Sequence, residues 1–107
     1  MRRVAFRLQI RVELLEDYIE FHKNVWPEML AELSKAGWHN YSLHVDKNDG
    51  VLFGYFETPD PSLARLQMGL SEVNRSWQRI MAPFFLQLDG LRPDESQTPL
   101  EEIFFLA

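Results

Sequence analysis

The segment Tyr18 to Glu28, YIEFHKNVWPE, brings together a phenol, an imidazole and a helix interruption. On a helix, Tyr18 and His22 stand at i and i+4 and emerge on one face, one above the other. Pro27 dictates where that helix stops. It cannot continue the backbone bonding, it holds Trp26 in extended geometry, and it suits the first turn of a new helix at Pro27-Glu28-Met29. His22 is thereby predicted near a helix C-terminus, whose partial negative charge favours the imidazolium and is expected to lift its pKa from about 6.5 toward neutrality. A group that gives and takes a proton at working pH is suited to general acid–base chemistry on a small molecule.

Composition narrows the classes. With 107 residues, the chain is expected to form one domain over residues 1–107. Eight Phe, three Tyr and three Trp within a 46% hydrophobic content predict a packed core, and 25% charged residues argue against a membrane protein. No apolar run approaches the roughly 20 residues that span a bilayer, and Met1-Arg2-Arg3 leads into an alternating strand rather than a signal peptide. A net charge of −5 without basic clusters disfavours a nucleic-acid partner. The absence of cysteine removes thiolate catalysis, thiolate metal sites and disulfides, and fits a cytoplasmic location. His39 and His44 lie five apart on a predicted strand, are expected on opposite faces, and form no metal set with His22. No cofactor or metal is expected.

The elements that must position these residues follow from periodicity. Residues 3–10 alternate, with Val4, Phe6, Leu8 and Ile10 on one face. Leu14 to Ala36 reads as one helix broken near Pro27 and stopped at Gly37. Residues 38–45 and 51–57 form a hairpin around Asp46 to Gly50. Ser62 to about Leu86 is a second helical region with breaks near Gly69 and Pro83, residues 90–99 are turn-rich, and Ile103 to Leu106 is predicted as the last strand. The order β-α-β-β-α-β is the ferredoxin-like α+β arrangement, a four-stranded antiparallel sheet with two helical regions on one face. Apolar residues on both faces of the third strand, Val51, Phe53 and Tyr55 against Leu52 and Phe56, call for a cover on the other face. A second copy of the sheet is the expected one, with a folded-over 90–99 segment as the alternative.

The combination of Tyr18 and His22, Val25-Trp26-Pro27-Glu28, Gly37-Trp38-His39-Asn40-Tyr41-Ser42, Trp77-Gln78 and Leu100-Glu101-Glu102-Ile103-Phe104 resembles the L-rhamnose mutarotase family over nearly the whole chain. The RxAFxxQ-like opening at Arg3 to Gln9 extends the likeness. The resemblance implies a homodimeric α+β barrel that interconverts the α and β anomers of a free sugar without a cofactor. It makes His22 the general acid and Tyr18 and Tyr41 sugar contacts, and it matches Trp77 to the second residue of a Trp-Trp pair. Ser76 stands where the first of that pair is expected, so one pocket wall lacks an aromatic surface and the sugar preferred is open.

Mutarotation takes a proton from the anomeric hydroxyl and delivers one to the ring oxygen. Rotation about one bond and reclosure then give the other anomer. His22 fits by type; Tyr18, Tyr41 or a bound water is the candidate second partner. Trp77 offers a flat face to the C–H side of a pyranose, and Ser76 a hydroxyl or added space. Trp26 is expected to pack at the helix break, and Glu13, Glu16, Asp17 and Glu20 to form a solvated face. Two other readings compete: a non-catalytic sugar-binding module, and a cofactor-free monooxygenase on the same small-barrel fold.

Overall fold

A computed structural model describes residues 1–107. In chain order the elements are β1 (Arg2–Gln9), a 3-10 turn (Val12–Leu14), α1 (Leu15–Phe21), a 3-10 turn (His22–Asn24), α2 (Pro27–Lys35), β2 (His39–Val45), β3 (Val51–Thr58), α3 (Pro61–Leu70), α4 (Glu72–Met81), 3-10 turns at Ala82–Phe84 and Pro93–Glu95, and β4 (Thr98–Leu100). The four strands form one sheet in the order β2-β3-β1-β4 with every neighbouring pair antiparallel, the ferredoxin-like α+β topology.

The alternation in β1 and β3 puts Phe6, Leu52 and Phe56 under the helices, where they are almost fully buried against Met68, Trp77 and Met81. Gly54 permits this packing, since a Cβ there would fall inside the Phe6 ring. Pro27 opens α2 at its first turn, with Trp26 extended before it at ψ 133°. The second helical region breaks near Gly69 as expected, at Ser71, and again at the 3-10 turn around Pro83. Ser71 lies in extended geometry and its hydroxyl accepts from the Asn74 amide as the N-cap of α4, while Asp60 does the same for α3 through Leu63.

The last strand is Thr98–Leu100, and Ile103 to Leu106 is not strand. Ala5 pairs with Leu100 and Arg7 with Thr98, and the same register would set Glu102 opposite Arg3, Ile103 opposite Arg2 and Phe104 opposite Met1. Arg3 and Glu102 do meet, in a two-pronged ion pair at 2.7 and 3.0 Å, with the Arg3 guanidinium 3.5 Å from the centre of the Phe105 ring. The ladder nevertheless stops at Leu100, and Ile103, Phe104 and Leu106 are left 91%, 79% and 80% exposed.

A β-bulge shapes β2. His39 pairs with Glu57 but Ser42 pairs with Tyr55, so one extra residue is absorbed between them, at Asn40 with φ 49°. Asn tolerates that left-handed geometry, and its side-chain amide is anchored on Glu57 at 2.5 Å. The bulge resets the alternation. Tyr41 turns to the helix side, where its ring lies 5.0 Å from Trp38 and 6.0 Å from Phe56. His39 and His44, opposite Glu57 and Phe53, consequently share the open face of the sheet instead of pointing apart.

Candidate active site

The end of α1, the start of α2, the buried side of α4 and strand β2 enclose a hollow of about 350 Å³, the size range of small-molecule sites. Val25, Met29, Leu30, Leu33 and Leu43 make one side apolar, and Asn74, Gln78, Asp94 and Gln97 make another polar. A recess of about 50 Å³ shares His22, Tyr41, Trp77 and Asp94 with it and reaches Tyr18 and Phe6.

His22 caps α1. Its Nδ1 lies 2.9 Å from the Tyr18 carbonyl oxygen, which can only accept, so Nδ1 carries the proton and Nε2 is left as the free ring nitrogen. The ring is tilted against Tyr18 at 4.3 Å between centroids and stands edge-on to Trp77 at 5.5 Å. Burial pushes its pKa below the ordinary histidine value and outweighs the carbonyl bond, which acts to raise it. The seven-residue helix α1 does not produce the expected rise, because lost hydration of the imidazolium is the larger effect. At neutral pH His22 therefore stands as a neutral base with Nε2 available.

Tyr18 is buried and Tyr41 half-buried. Burial drives both phenol pKa values well above 10, with Arg65 the one neighbour pulling Tyr41 back down. Both are hydrogen-bond donors throughout the physiological range. Trp77, only 6% exposed, is fixed by an edge-on contact to Trp26 at 5.0 Å and forms the floor beside His22. Trp26 itself packs against the core as its place at the helix break suggests. Ser76, one residue earlier on α4, is exposed and outside the walls of these hollows. Tyr18, His22, Tyr41 and Trp77 are thus brought together, and Ser76 is not.

The polar wall escapes sequence reasoning. Asn74 is its hub: the side-chain amide donates to the Met68 carbonyl and to Asp94 Oδ2, each at 2.9 Å, and its oxygen accepts from Gln78 Nε2 at 3.0 Å. Arg92 grips Asp94 through Nε at 2.9 Å and a terminal nitrogen at 2.6 Å. The Asp94 amide donates to Gln78 Oε1 at 3.2 Å. Arg65, half-buried above the Phe6 and Phe56 rings, donates to Gln97 at 2.5 Å. The turn-rich 90–99 segment therefore folds into the helix side of the sheet, where it closes the hollow, and leaves the open face uncovered. The single available signal was Gln78 beside Trp77; residues 74, 94 and 97 come from separate elements and share no periodicity.

A family model described as L-rhamnose mutarotase matches residues 3–106. The chain is 34% identical to the L-rhamnose mutarotase of Oceanobacillus iheyensis and 33% to that of Bacillus subtilis, in each case over 99% of both chains. Among solved structures, the L-rhamnose mutarotase FA22100 of Formosa agariphila superposes with a TM-score of 0.81 at 26% identity over 100% of both chains. An antibiotic biosynthesis monooxygenase superposes at TM-score 0.60 and 18% identity over 81% of this chain and 88% of the other, a likeness of fold alone.

Proposed function

Since the chain belongs to the L-rhamnose mutarotase family, and is thereby an isomerase of the carbohydrate-epimerase kind, we propose that His22 carries the interconversion of the α and β anomers of L-rhamnose in the hollow it borders. The observation that carries this reading is the 2.9 Å contact between His22 Nδ1 and the Tyr18 carbonyl oxygen, which calls for the proton on Nδ1 and leaves Nε2 as a base beside Tyr41 and Trp77. Nε2 takes the proton of the anomeric hydroxyl as the bond between C1 and the ring oxygen breaks, and the ring oxygen takes a proton from a phenol or water. The open-chain aldehyde rotates about C1–C2. Reclosure runs the transfers backward, with the imidazolium returning its proton to O1 and the ring hydroxyl giving up its own. Such positioned transfer contributes typically about 10² to 10⁴ in rate.

Tyr18 and Tyr41, held protonated, are assigned to the sugar's oxygens, and Trp77 to its apolar face. The apolar side formed by Met29, Leu30, Leu33 and Leu43 suits the methyl group of a 6-deoxy sugar. Ser76 is exposed and is not assigned a substrate contact. Residues 1–107 act as one domain on this reading, in the cytoplasm, where a chain without cysteine and with no helix long and apolar enough to cross a membrane is at home.

The working unit is assigned as a homodimer. Phe53 on the open sheet face is 43% exposed beside Val51 and Tyr55, and Ile103, Phe104 and Leu106 project from the tail. A second copy of the same sheet would bury both.

The test is saturation-transfer NMR of C1-proton exchange across L-rhamnose, L-fucose and common aldoses. Faster exchange of L-rhamnose with protein supports the reading; binding without acceleration makes the protein a sugar-binding module and refutes it.

A further inference from the structure

Asp94 is the sole carboxylate bordering the hollow and its recess, and the surrounding residues hold it rigidly. Its short 3-10 turn is tied by the Arg92 amide donating to Glu95 Oε1 at 2.9 Å and by Ser96 Oγ donating to the Arg92 carbonyl at 3.0 Å. Pro93 is buried beneath it. A carboxylate offers about four acceptor positions. Oδ2 uses two, for Arg92 and Asn74, whereas Oδ1 uses one, for Arg92 Nε. One acceptor position on Oδ1 is therefore open, on a side chain that is 19% exposed and borders the cavity. Around it, Gln78 and Gln97 each commit their side-chain oxygen to protein partners, and their amide N–H groups exceed the single donation made by Gln78. The wall thus presents an anionic acceptor flanked by amide donors, which is what a hydroxyl, itself both donor and acceptor, requires.

Resting on the mutarotase reading, we propose that Asp94 is a substrate-contacting, specificity-determining residue: its Oδ1 accepts a hydrogen bond from one ring hydroxyl of the sugar, and the site thereby demands a hydroxyl at that position. Arg92 and Asn74 hold the carboxylate for this task. A surface ion pair alone would not require the neutral Asn74 amide, itself nearly fully buried, to aim at the same oxygen.

The experiment measures anomer exchange of L-rhamnose and its 2-, 3- and 4-deoxy analogues with the parent protein and with Asp94→Asn, after confirming matched melting temperatures. A hydrogen bond to a charged group predicts that the parent disfavours one analogue by about 10- to 100-fold in kcat/KM, mostly through KM. Asp94→Asn should lose a similar factor on L-rhamnose and almost nothing on that analogue. An equal loss on all four sugars, or a loss in kcat with KM unchanged, assigns Asp94 to holding the fold or to proton transfer and overturns the proposal. The parent data decide independently of the variant's folding: equal handling of all four sugars also overturns it. If the parent accelerates no sugar at all, it is the mutarotase reading that fails.

Discussion

Replacing Asn74 by Ala should cost far more than its single polar side chain suggests. The side chain is 1% exposed and makes three hydrogen bonds, to the Met68 carbonyl, to Gln78 and to the Asp94 carboxylate. Two neutral bonds at about 1 kcal/mol each and one to a charged group at about 1.5–3 kcal/mol give a loss of about 3–5 kcal/mol, with the Met68 carbonyl keeping the Ser71 N–H and Asp94 keeping Arg92 as remaining partners. For a domain near this size, 1 kcal/mol moves the melting temperature by about 4–5 °C, so a fall of about 12–25 °C is expected in a calorimetric scan. The control is Arg75→Ala on the same helix, whose exposed pair with Glu72 at 3.3 Å should be worth under about 1 kcal/mol. Asn74→Asp should be worse than the parent at neutral pH, because it sets a second carboxylate against Asp94. That pair holds a proton more tightly folded than unfolded, so the deficit grows as pH rises above about 4 and shrinks below it. An Asn74→Ala protein melting within about 3 °C of Arg75→Ala would refute the idea that this residue organises the wall.

Other outcomes follow from the same geometry. Because burial lowers the His22 pKa and the neutral ring is the base, exchange should hold its rate down through pH 7 and fall only below about 6.5; an acid limb centred above 7 contradicts this. The same shift means the unfolded chain binds that proton more readily, so below about pH 6.5 the parent loses stability that a His22→Gln variant does not lose, as denaturant melts at two pH values would measure. In sedimentation velocity the parent should run as a dimer, and Phe53→Glu, placing a charge on the open sheet face, should shift it to monomer without unfolding; a monomeric parent at micromolar concentration removes the proposed pairing.

The sequence was most informative where local chemistry and periodicity agree. Alternation in β1 and β3, the polar turn Asp46 to Gly50, and the Pro27 break all produce the elements read from them. Elements that depend on distant register were harder to see. Ile103 to Leu106 has the composition of a strand, but the ladder to β1 stops at Leu100 and Arg3 meets Glu102 through side chains instead. The break expected near Gly69 is present, but Gly69 itself lies inside α3 with open space around it, and the capping hydroxyl of Ser71 sets the boundary. Within the site, Tyr18 and His22 were legible as a helical pair. The side of the sheet on which Tyr41 lies depends on the bulge at Asn40, for which an Asn inside an alternating strand was the available clue. The pKa of His22 went opposite to the helix-end expectation because its burial could not be read from one dimension. Asp94 and Asn74 meet across a fold and left no mark in spacing.

The most direct test of the account is the rate of C1-proton exchange between the anomers of L-rhamnose, by saturation transfer, for the parent and for His22→Ala at equal concentration and pH 7.5. Clear acceleration by the parent and a loss of about 10²- to 10⁴-fold in the variant are expected, with its melting temperature little changed. Equal acceleration by the two proteins would remove His22 from the chemistry and contradict the mechanism.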